Sequence, residues 1–310
     1  MIEGLFWMRF LAPVVWRLAF AAAIGLGMAS TASAASGRLT LESGGVRRSA
    51  FIVEHARLKR ARRPVIIFLH GQSGAGVRVR DRLGLDRKIK SRSVVVAYPD
   101  ALGGRWDVSE AGAERELRFV NDLIARLKKD GIADPKRIFI AGGGPGGILA
   151  MRLACRETGT FAGAASLIAL MPTADAAACK PSRPIPFMLL AGTADPKIPF
   201  GGGKADIPEY KGEVVSAADT LAPFAAAAAC GDKTTKIDVA DRDRNDGSRV
   251  QLEFRVGCKA PIELVRIDGG GHTLPGARAR VDRGQPVGAR NGDIDTARVL
   301  VDFFLKGRGG

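Results

Sequence analysis

Short apolar runs alternate along this chain with longer stretches of helical periodicity. The runs typical of buried strands lie at residues 51–53, 64–69, 93–98, 137–141, 187–190 and 262–267. The helical stretches lie at residues 112–129, through 149–154, at 215–229 and at 293–305, and the polar stretches 200–213 and 240–250 are predicted to be surface loops. Strands separated by helices of this length predict an α/β fold, with a mostly parallel sheet covered by helices on both faces.

The first 34 residues have the pattern of a secretory signal peptide. Arg9 and Arg17 are basic, residues 18–28 are apolar, and Ala32-Ser33-Ala34 forms a small-residue cleavage site. We therefore expect a secreted or periplasmic protein with a single domain at residues 35–310. The alternative is an uncleaved membrane anchor. No other stretch has the roughly 18 apolar residues that a span requires, so no stable membrane insertion is expected after cleavage.

The chain is strongly basic. It contains 47 Lys and Arg residues against 32 Asp and Glu residues, which gives a formal net charge of +15. Aromatic residues make up only 6% of the sequence, and no helix-turn-helix, zinc-finger or RRM signature accompanies the charge. Nucleic-acid binding is therefore not expected. The dense basic run at residues 57–63 is interpreted as part of a solvated basic face, which favours anionic envelope surfaces or acidic substrates.

An even number of cysteines in an exported protein predicts disulfides. The four are Cys155, Cys179, Cys230 and Cys258. Spacing alone allows three pairings, of which two local loops are the simplest. No C-x-x-C motif or Cys/His cluster is present, so neither a zinc site nor another metal or cofactor is expected.

Four chemically distinctive segments follow predicted strands. They are residues 70–74 (HGQSG), the glycine-rich residues 142–147, Asp195 and His272. Ligands of open α/β sheets bind at the carboxyl ends of the strands, so these segments are expected to meet. A turn after a middle strand, then an acid, then a histidine is the order found in α/β-hydrolases. The turn there reads G-x-S-x-G, whereas this chain has Gly142, Gly144 and Gly146 in that frame.

Together these features resemble the secreted polyhydroxybutyrate depolymerase and feruloyl esterase group of α/β-hydrolases. The matching stretches are LHG at 69–71, AYPD at 97–100, DPKRIFI at 134–140, MRLAC at 151–155, GTAD at 192–195 and IDGGGHTLPG at 267–276. The resemblance implies that Asp195 is the triad acid and His272 the triad base. It assigns His70, Gly71 and Gln72 to the oxyanion loop, and it pairs Cys155 with Cys179 and Cys230 with Cys258. It implies a small or oligomeric ester as substrate.

The chain departs from that group at the elbow. Gly144 stands at the nucleophile position and has no hydroxyl, so no covalent ester can form there. Pro145 follows, and proline lacks the backbone N–H that this position supplies to the oxyanion hole. Leu274 stands where an aromatic residue is common, which bears on the substrate subsite. A well-folded protein with impaired catalysis is therefore predicted.

Three alternatives remain open from the sequence. Ser73, in an elbow-like setting after an early strand, is an alternative nucleophile. The glycines at 142, 144 and 147 also fit a dinucleotide-binding G-x-G-x-x-G, but that loop does not follow the first strand. Finally, the chain is either a weakly active carboxylic-ester hydrolase or a non-catalytic relative that uses its pocket for binding. The sequence leaves the oligomeric state undetermined.

Overall fold

The computed structural model describes residues 36–54, 62–71, 74–89, 93–278 and 287–306. Several predictions from the sequence lie outside the described residues. These concern the signal segment 1–34, most of the basic run 57–63, and Gln72 and Ser73. All of the described residues fall in one compact unit.

A ten-stranded sheet runs through the molecule in the order β1-β2-β4-β3-β5-β6-β7-β12-β11-β10. Its strands are β1 (Gly37–Ser43), β2 (Val46–Val53), β3 (Arg63–Leu69), β4 (Val95–Pro99), β5 (Ala133–Gly143), β6 (Gly163–Leu167), β7 (Phe187–Gly192), β10 (Thr234–Asp238), β11 (Arg249–Arg255) and β12 (Ile262–Asp268). A separate two-stranded ribbon consists of β8 (Gly203–Lys204) and β9 (Glu213–Val214). The six strands from β4 to β12 are parallel, and the pairs at both edges are antiparallel.

Seven α-helices surround the sheet in the described part of the chain. They are α1 (Gly76–Leu83), α2 (Leu85–Lys88), α3 (Glu110–Lys129), α4 (Pro145–Arg156), α5 (Thr173–Ala178), α6 (Ala217–Ala227) and α7 (Thr296–Lys306). No helix among the described residues combines the length and the apolar character needed to cross a membrane.

The central strands are apolar throughout because both faces of the sheet are covered. In β3, Val65, Ile67 and Leu69 belong to the core cluster that includes residues of α3, α4 and α6. The alternate residues Ile66 and Phe68 belong to the opposite cluster, which includes residues of α1, α2 and α7. Side chains of a strand alternate between the faces, so a doubly covered strand needs an unbroken apolar run. The α/β fold predicted from these runs, a mostly parallel sheet covered by helices on both faces, is confirmed.

Two details of the sequence prediction were wrong. The last helix begins at Thr296 rather than at Asp293, whose carboxylate instead accepts hydrogen bonds from the backbone N–H groups of Arg242 and Asp243. The stretches 200–213 and 240–250 were predicted to be loops, yet they contain β8 and the first residues of β11. Both strands are short or polar at these points, so they carry no apolar signal.

Both local disulfides form. Cys155 at the end of α4 bonds to Cys179 just after α5, and Cys230 after α6 bonds to Cys258 before β12. The bonded residues are 24 and 28 positions apart, so each bond closes a loop of moderate length. In the chain-entropy model such a loop constrains the unfolded state.

Replacing either pair by serine should lower the free energy of unfolding by about 3 kcal/mol, because the unfolded chain regains the entropy of an open loop. Urea unfolding of the Cys230→Ser/Cys258→Ser and Cys155→Ser/Cys179→Ser variants would measure this. Wild type treated with a reducing agent is the control and should lose more than either variant. Equal unfolding midpoints for oxidised and reduced wild type would contradict the prediction.

Candidate functional site

A cleft of about 720 Å³ opens at the carboxyl ends of the central strands. Segments that follow different strands line it. His70 and Gly71 follow β3, Gly144 follows β5, Ile168 follows β6, and His272 lies in the loop after β12. The parallel arrangement of these strands brings their ends to one edge of the sheet, which is where α/β folds bind ligands.

Gly144 is at the turn between β5 and α4. Its backbone angles are φ 53° and ψ −123°, in a region that residues with a side chain rarely adopt. The turn is held by hydrogen bonds from the Gly144 N–H to Leu167 O (3.0 Å) and from the Ile148 N–H to Gly144 O (3.1 Å). A Cβ atom placed on Gly144 would meet nothing within 4 Å. A side chain at this position would therefore enter open space.

The flanking glycines are required by close backbone packing. A Cβ on Gly142 would overlap the backbone of Gly146, and a Cβ on Gly146 would lie 2.5 Å from the carbonyl oxygens of Leu69 and His70. The first turn of α4 is therefore pressed against the ends of β3 and β5. This is the packing that a nucleophile elbow requires of the small residues on either side of its apex.

His272 and Asp195 form a buried hydrogen-bonded pair. His272 Nδ1 lies 2.8 Å from Asp195 Oδ2, and the two side chains are only 8% and 3% exposed. The other carboxylate oxygen accepts the backbone N–H groups of Lys197 (2.8 Å) and Ile198 (3.0 Å). An ionised carboxylate can only accept a hydrogen bond, so Nδ1 of His272 carries the proton. Nε2 of His272 is therefore unprotonated and free to take up a proton. This is the orientation that a catalytic histidine needs.

Backbone hydrogen bonds join the loops that carry the pair. The N–H of Thr193 donates to Ile267 O (2.9 Å), and the N–H of Ala194 donates to Gly270 O (3.0 Å). A Cβ on Gly192 would overlap the carbonyl group of Gly270. The glycine-rich sequence of both loops therefore permits a close approach that sets the position of the acid relative to the histidine.

His70 holds the loop after β3. Its Nε2 accepts the backbone N–H of Ala101 (3.1 Å), so Nδ1 carries the proton and donates to Gly71 O (2.8 Å). The carbonyl oxygen of His70 accepts the indole N–H of Trp106 (3.0 Å). Burial lowers the pKa of His70 below 6.5, although the bond to Gly71 partly opposes this. A neutral, doubly hydrogen-bonded imidazole fixes the course of the chain at Gly71, in the cleft wall.

Protonation of His70 should destabilise the fold. Because its folded pKa lies below its unfolded value, the unfolded state binds the proton first, and stability present above pH 6.5 is lost as the pH falls. For a single titrating group, the free energy of unfolding cannot change by more than about 1.4 kcal/mol per pH unit. Urea unfolding from pH 7.5 to 5.5 should show a shallower dependence for His70→Gln than for wild type. Parallel curves for the two proteins would contradict this prediction.

The structure brings together most of the residues singled out from the sequence. His70, Gly71, Gly144 and His272 line one cleft, with Asp195 behind the histidine and Pro145 as the first residue of α4. Gln72 and Ser73 lie outside the described residues, so their assignments stay predictions. The described residues contain no cluster of three or more His, Cys, Asp or Glu that could hold a metal ion.

Some lining residues were missed by the sequence analysis. Ile168 has a positive φ of 47°, uncommon for a β-branched residue, and its N–H donates to Leu190 O (2.7 Å). Leu274, by contrast, was already singled out from the sequence for the substrate subsite, and it lies near the elbow, where its Cδ1 would be 3.9 Å from a Cβ on Gly143. No local sequence pattern marks Ile168, because its conformation follows from the packing of β6 between its neighbours.

No family model matches the chain. A protein named "Putative esterase NocK" from Nocardia uniformis subsp. tsuyamanensis is 28% identical over 260 residues, which cover 79% of this chain and 75% of that protein. Feruloyl esterase B from Piromyces equi is 23% identical over 219 residues, but these cover 67% of this chain and only 39% of that protein.

The fold is similar to that of solved esterases. Esterase 2 of Thermogutta terrifontis superposes with a TM-score of 0.56 at 18% identity, over 89% of this chain and 96% of that one. This likeness supports the α/β-hydrolase fold. The named relatives are esterases, and their similarity to this chain supports an esterase-type α/β-hydrolase.

Proposed function

We propose that this chain is an exported relative of polyhydroxybutyrate depolymerases and of feruloyl and acetyl esterases, in which Gly144 occupies the place of the serine nucleophile. Asp195 and His272 are the acid and base of the former triad, and catalysis is impaired. The observation that carries this proposal is the geometry of Gly144. It is at the apex of a strand-turn-helix elbow, with φ 53°, in the cleft that His272 also lines.

The missing hydroxyl removes the covalent route. In a serine hydrolase, the histidine takes the serine proton as the oxygen attacks the acyl carbon, and an ester to the serine forms. At Gly144 no such oxygen exists, so at this position His272 Nε2 would activate a water molecule in place of a serine hydroxyl. Pro145 also offers no N–H to the developing oxyanion. Hydrolysis through this site is therefore slow, with His272 acting as a general base.

A binding role without catalysis is the second candidate. A cleft of about 720 Å³ is within the size range of small-molecule sites, and it is open beside Gly144. A protein that keeps this cleft can bind an ester without cleaving it. Both candidates share the ester as ligand, which the names of the relatives support.

Export is supported by two independent features. The segment 1–34 has the composition of a cleaved signal. The disulfides Cys155–Cys179 and Cys230–Cys258 are of a kind that persists in oxidising compartments. The domain at residues 35–310 is accordingly proposed to act in the periplasm or outside the cell.

A p-nitrophenyl ester assay tests the proposal, with wild type, Gly144→Ser and His272→Ala compared side by side. Wild type should be slow and Gly144→Ser faster. A wild-type rate that His272→Ala abolishes identifies a weak water-based hydrolase, whereas a rate at background for both is the result expected of a binding role without catalysis. Fast turnover by wild type with no gain in Gly144→Ser would refute the assignment of Gly144.

A further inference from the structure

Positive charge is concentrated in the wall of the cleft. Besides the two histidines, six cationic side chains line it in the described part of the chain: Arg78, Arg82, Lys197, Lys211, Arg278 and Arg290. Only one carboxylate, Asp206, is among the described lining residues. Cations that share a concave surface repel one another, and an anion bound among them relieves that repulsion.

Three separate segments supply these cations in pairs. Arg78 and Arg82 lie one turn apart on α1, Lys197 and Lys211 lie between β7 and α6, and Arg278 and Arg290 lie between β12 and α7. Since the pairs are distant in sequence, their convergence on one cleft arises from the fold and not from a basic run in the chain.

Backbone contacts hold part of this basic wall in place. The N–H of Arg278 donates to Arg82 O (3.1 Å), which joins the loop after β12 to α1. Arg290 Nη1 donates to Ala277 O (2.6 Å), so this guanidinium is fixed before any ligand arrives. A guanidinium held in position loses less entropy when it binds a carboxylate or phosphate.

The single carboxylate balances only part of the charge. Asp206 lies 3.5 Å from Lys211 Nζ and 3.9 Å from Lys197 Nζ. The two lysines therefore share the carboxylate of Asp206. They lie on the side of the cleft that carries Asp195, because the Asp195 carboxylate accepts a hydrogen bond from the backbone N–H of Lys197.

The concentration is not a general property of this basic protein. A second concavity among the described residues is lined by Asp238, Asp241 and Asp268 against Arg244 and Arg249. Acidic residues outnumber basic ones there, although the chain as a whole carries +15. The excess of cations therefore distinguishes the cleft that contains Gly144 and His272 from this second concavity.

We propose that the ligand of this cleft is an ester that carries a negatively charged group, a carboxylate or a phosphate, on the part that extends towards α1 and the loop after β12. The inference rests on the proposed function because it names the class of ester that the same site takes. It concerns binding alone, so it holds whether or not the bound ester is cleaved.

Isothermal titration calorimetry with two matched esters tests the inference. Monomethyl adipate carries one carboxylate, and dimethyl adipate has the same ester group and chain without the charge. A charge-assisted contact predicts that the monoester binds at least about tenfold more tightly at low salt. The difference should shrink as the salt concentration rises, because screening weakens exposed charge pairs. Competition with inorganic phosphate distinguishes the two anions. If phosphate fills the cleft at a lower concentration than the monoester does, the charged group is assigned as a phosphate. If phosphate needs a higher concentration, the group is assigned as a carboxylate.

Matched variants locate the effect. Arg78→Gln/Arg278→Gln removes two exposed arginines from the cleft wall, and it should abolish most of the preference for the monoester while the unfolding temperature stays unchanged. Arg249→Gln removes a side chain that is 80% exposed beside the acidic concavity, and it should leave the preference intact. Equal affinities for the two esters, or equal losses in the cleft and control variants, would overturn the inference. Neither result would affect the proposal for Gly144, since its assay uses an uncharged ester.

Discussion

The Gly144→Ser/Pro145→Ala double variant should hydrolyse p-nitrophenyl acetate about 10⁵-fold faster than wild type, with Gly144→Ser alone contributing about 10³-fold. Loss of the triad serine costs a serine protease about 10⁶-fold in kcat. A single oxyanion donor is worth about 10²- to 10³-fold. The serine alone therefore recovers only part of the rate, and the alanine at 145 restores the missing N–H.

The structure explains why both substitutions fit. A Cβ at Gly144 has no neighbour within 4 Å, so the serine side chain meets no obstacle. A serine held at the positive φ of residue 144 lowers the stability of the fold by about 1–3 kcal/mol, because of backbone strain and not because of a steric clash. Pro145 is the first residue of α4, a position that alanine also accepts, since no intrahelical bond from its N–H is required there.

Steady-state kinetics of wild type, both single variants and the double variant give the measurement. Pro145→Ala alone should stay far slower than the double variant because it restores the N–H but adds no nucleophile. His272→Ala introduced into the double variant should return the rate to that of wild type. A double variant that folds, as judged by thermal unfolding, and yet gains nothing would show that residue 144 is not at the nucleophile position.

Gly142→Ala should destabilise the protein by at least about 3 kcal/mol. The added Cβ would overlap the backbone of Gly146, and backbone in the first turn of α4 cannot move without displacing the helix from the sheet. Gly142 pairs with Leu69 on one side and Ser166 on the other, so β5 cannot shift either. Urea unfolding would measure the loss, or the variant would fail to accumulate as folded protein.

Gly143→Ala is the matched control for this substitution. It is the next residue of the same strand, and its added Cβ would have Leu167 O and Leu274 Cδ1 at 3.9 Å as neighbours, which is ordinary contact. Its effect should stay within about 0.5 kcal/mol. Similar losses at 142 and 143 would contradict the packing that we assign to the elbow.

Elements with strong apolar patterns could be predicted from the sequence. The run at residues 64–69 forms β3 and the stripe at residues 112–129 forms α3, because each element has apolar residues that are buried when it packs.

β6 was missed because it consists mainly of small residues. At Gly163 a Cβ would lie 3.2 Å from the ring of Phe139, so the core leaves no room there for the large side chains that mark a strand. β10 was missed because all five of its residues are exposed.

The candidate site was predictable in part. Its segments stand out because glycines, an acid and a histidine directly follow apolar strands. Their arrangement was not predictable, since it depends on which strands are neighbours in the sheet. The basic wall gave no sequence signal, because α1 was not predicted and single arginines in loops are common on any surface.

By itself the sequence determined what this site lacks: residue 144 has no hydroxyl and residue 145 no N–H, because covalent structure does not depend on folding. It also determined a doubly covered parallel sheet, since unbroken apolar runs are stable in strands only when both of their faces are buried. Only the tertiary structure decided that Asp195 and His272 meet across 77 residues, and that six cations converge beside Gly144. Hydrogen bonds and charge repulsion act over a few ångströms, so they depend on the strand order that brings distant segments together.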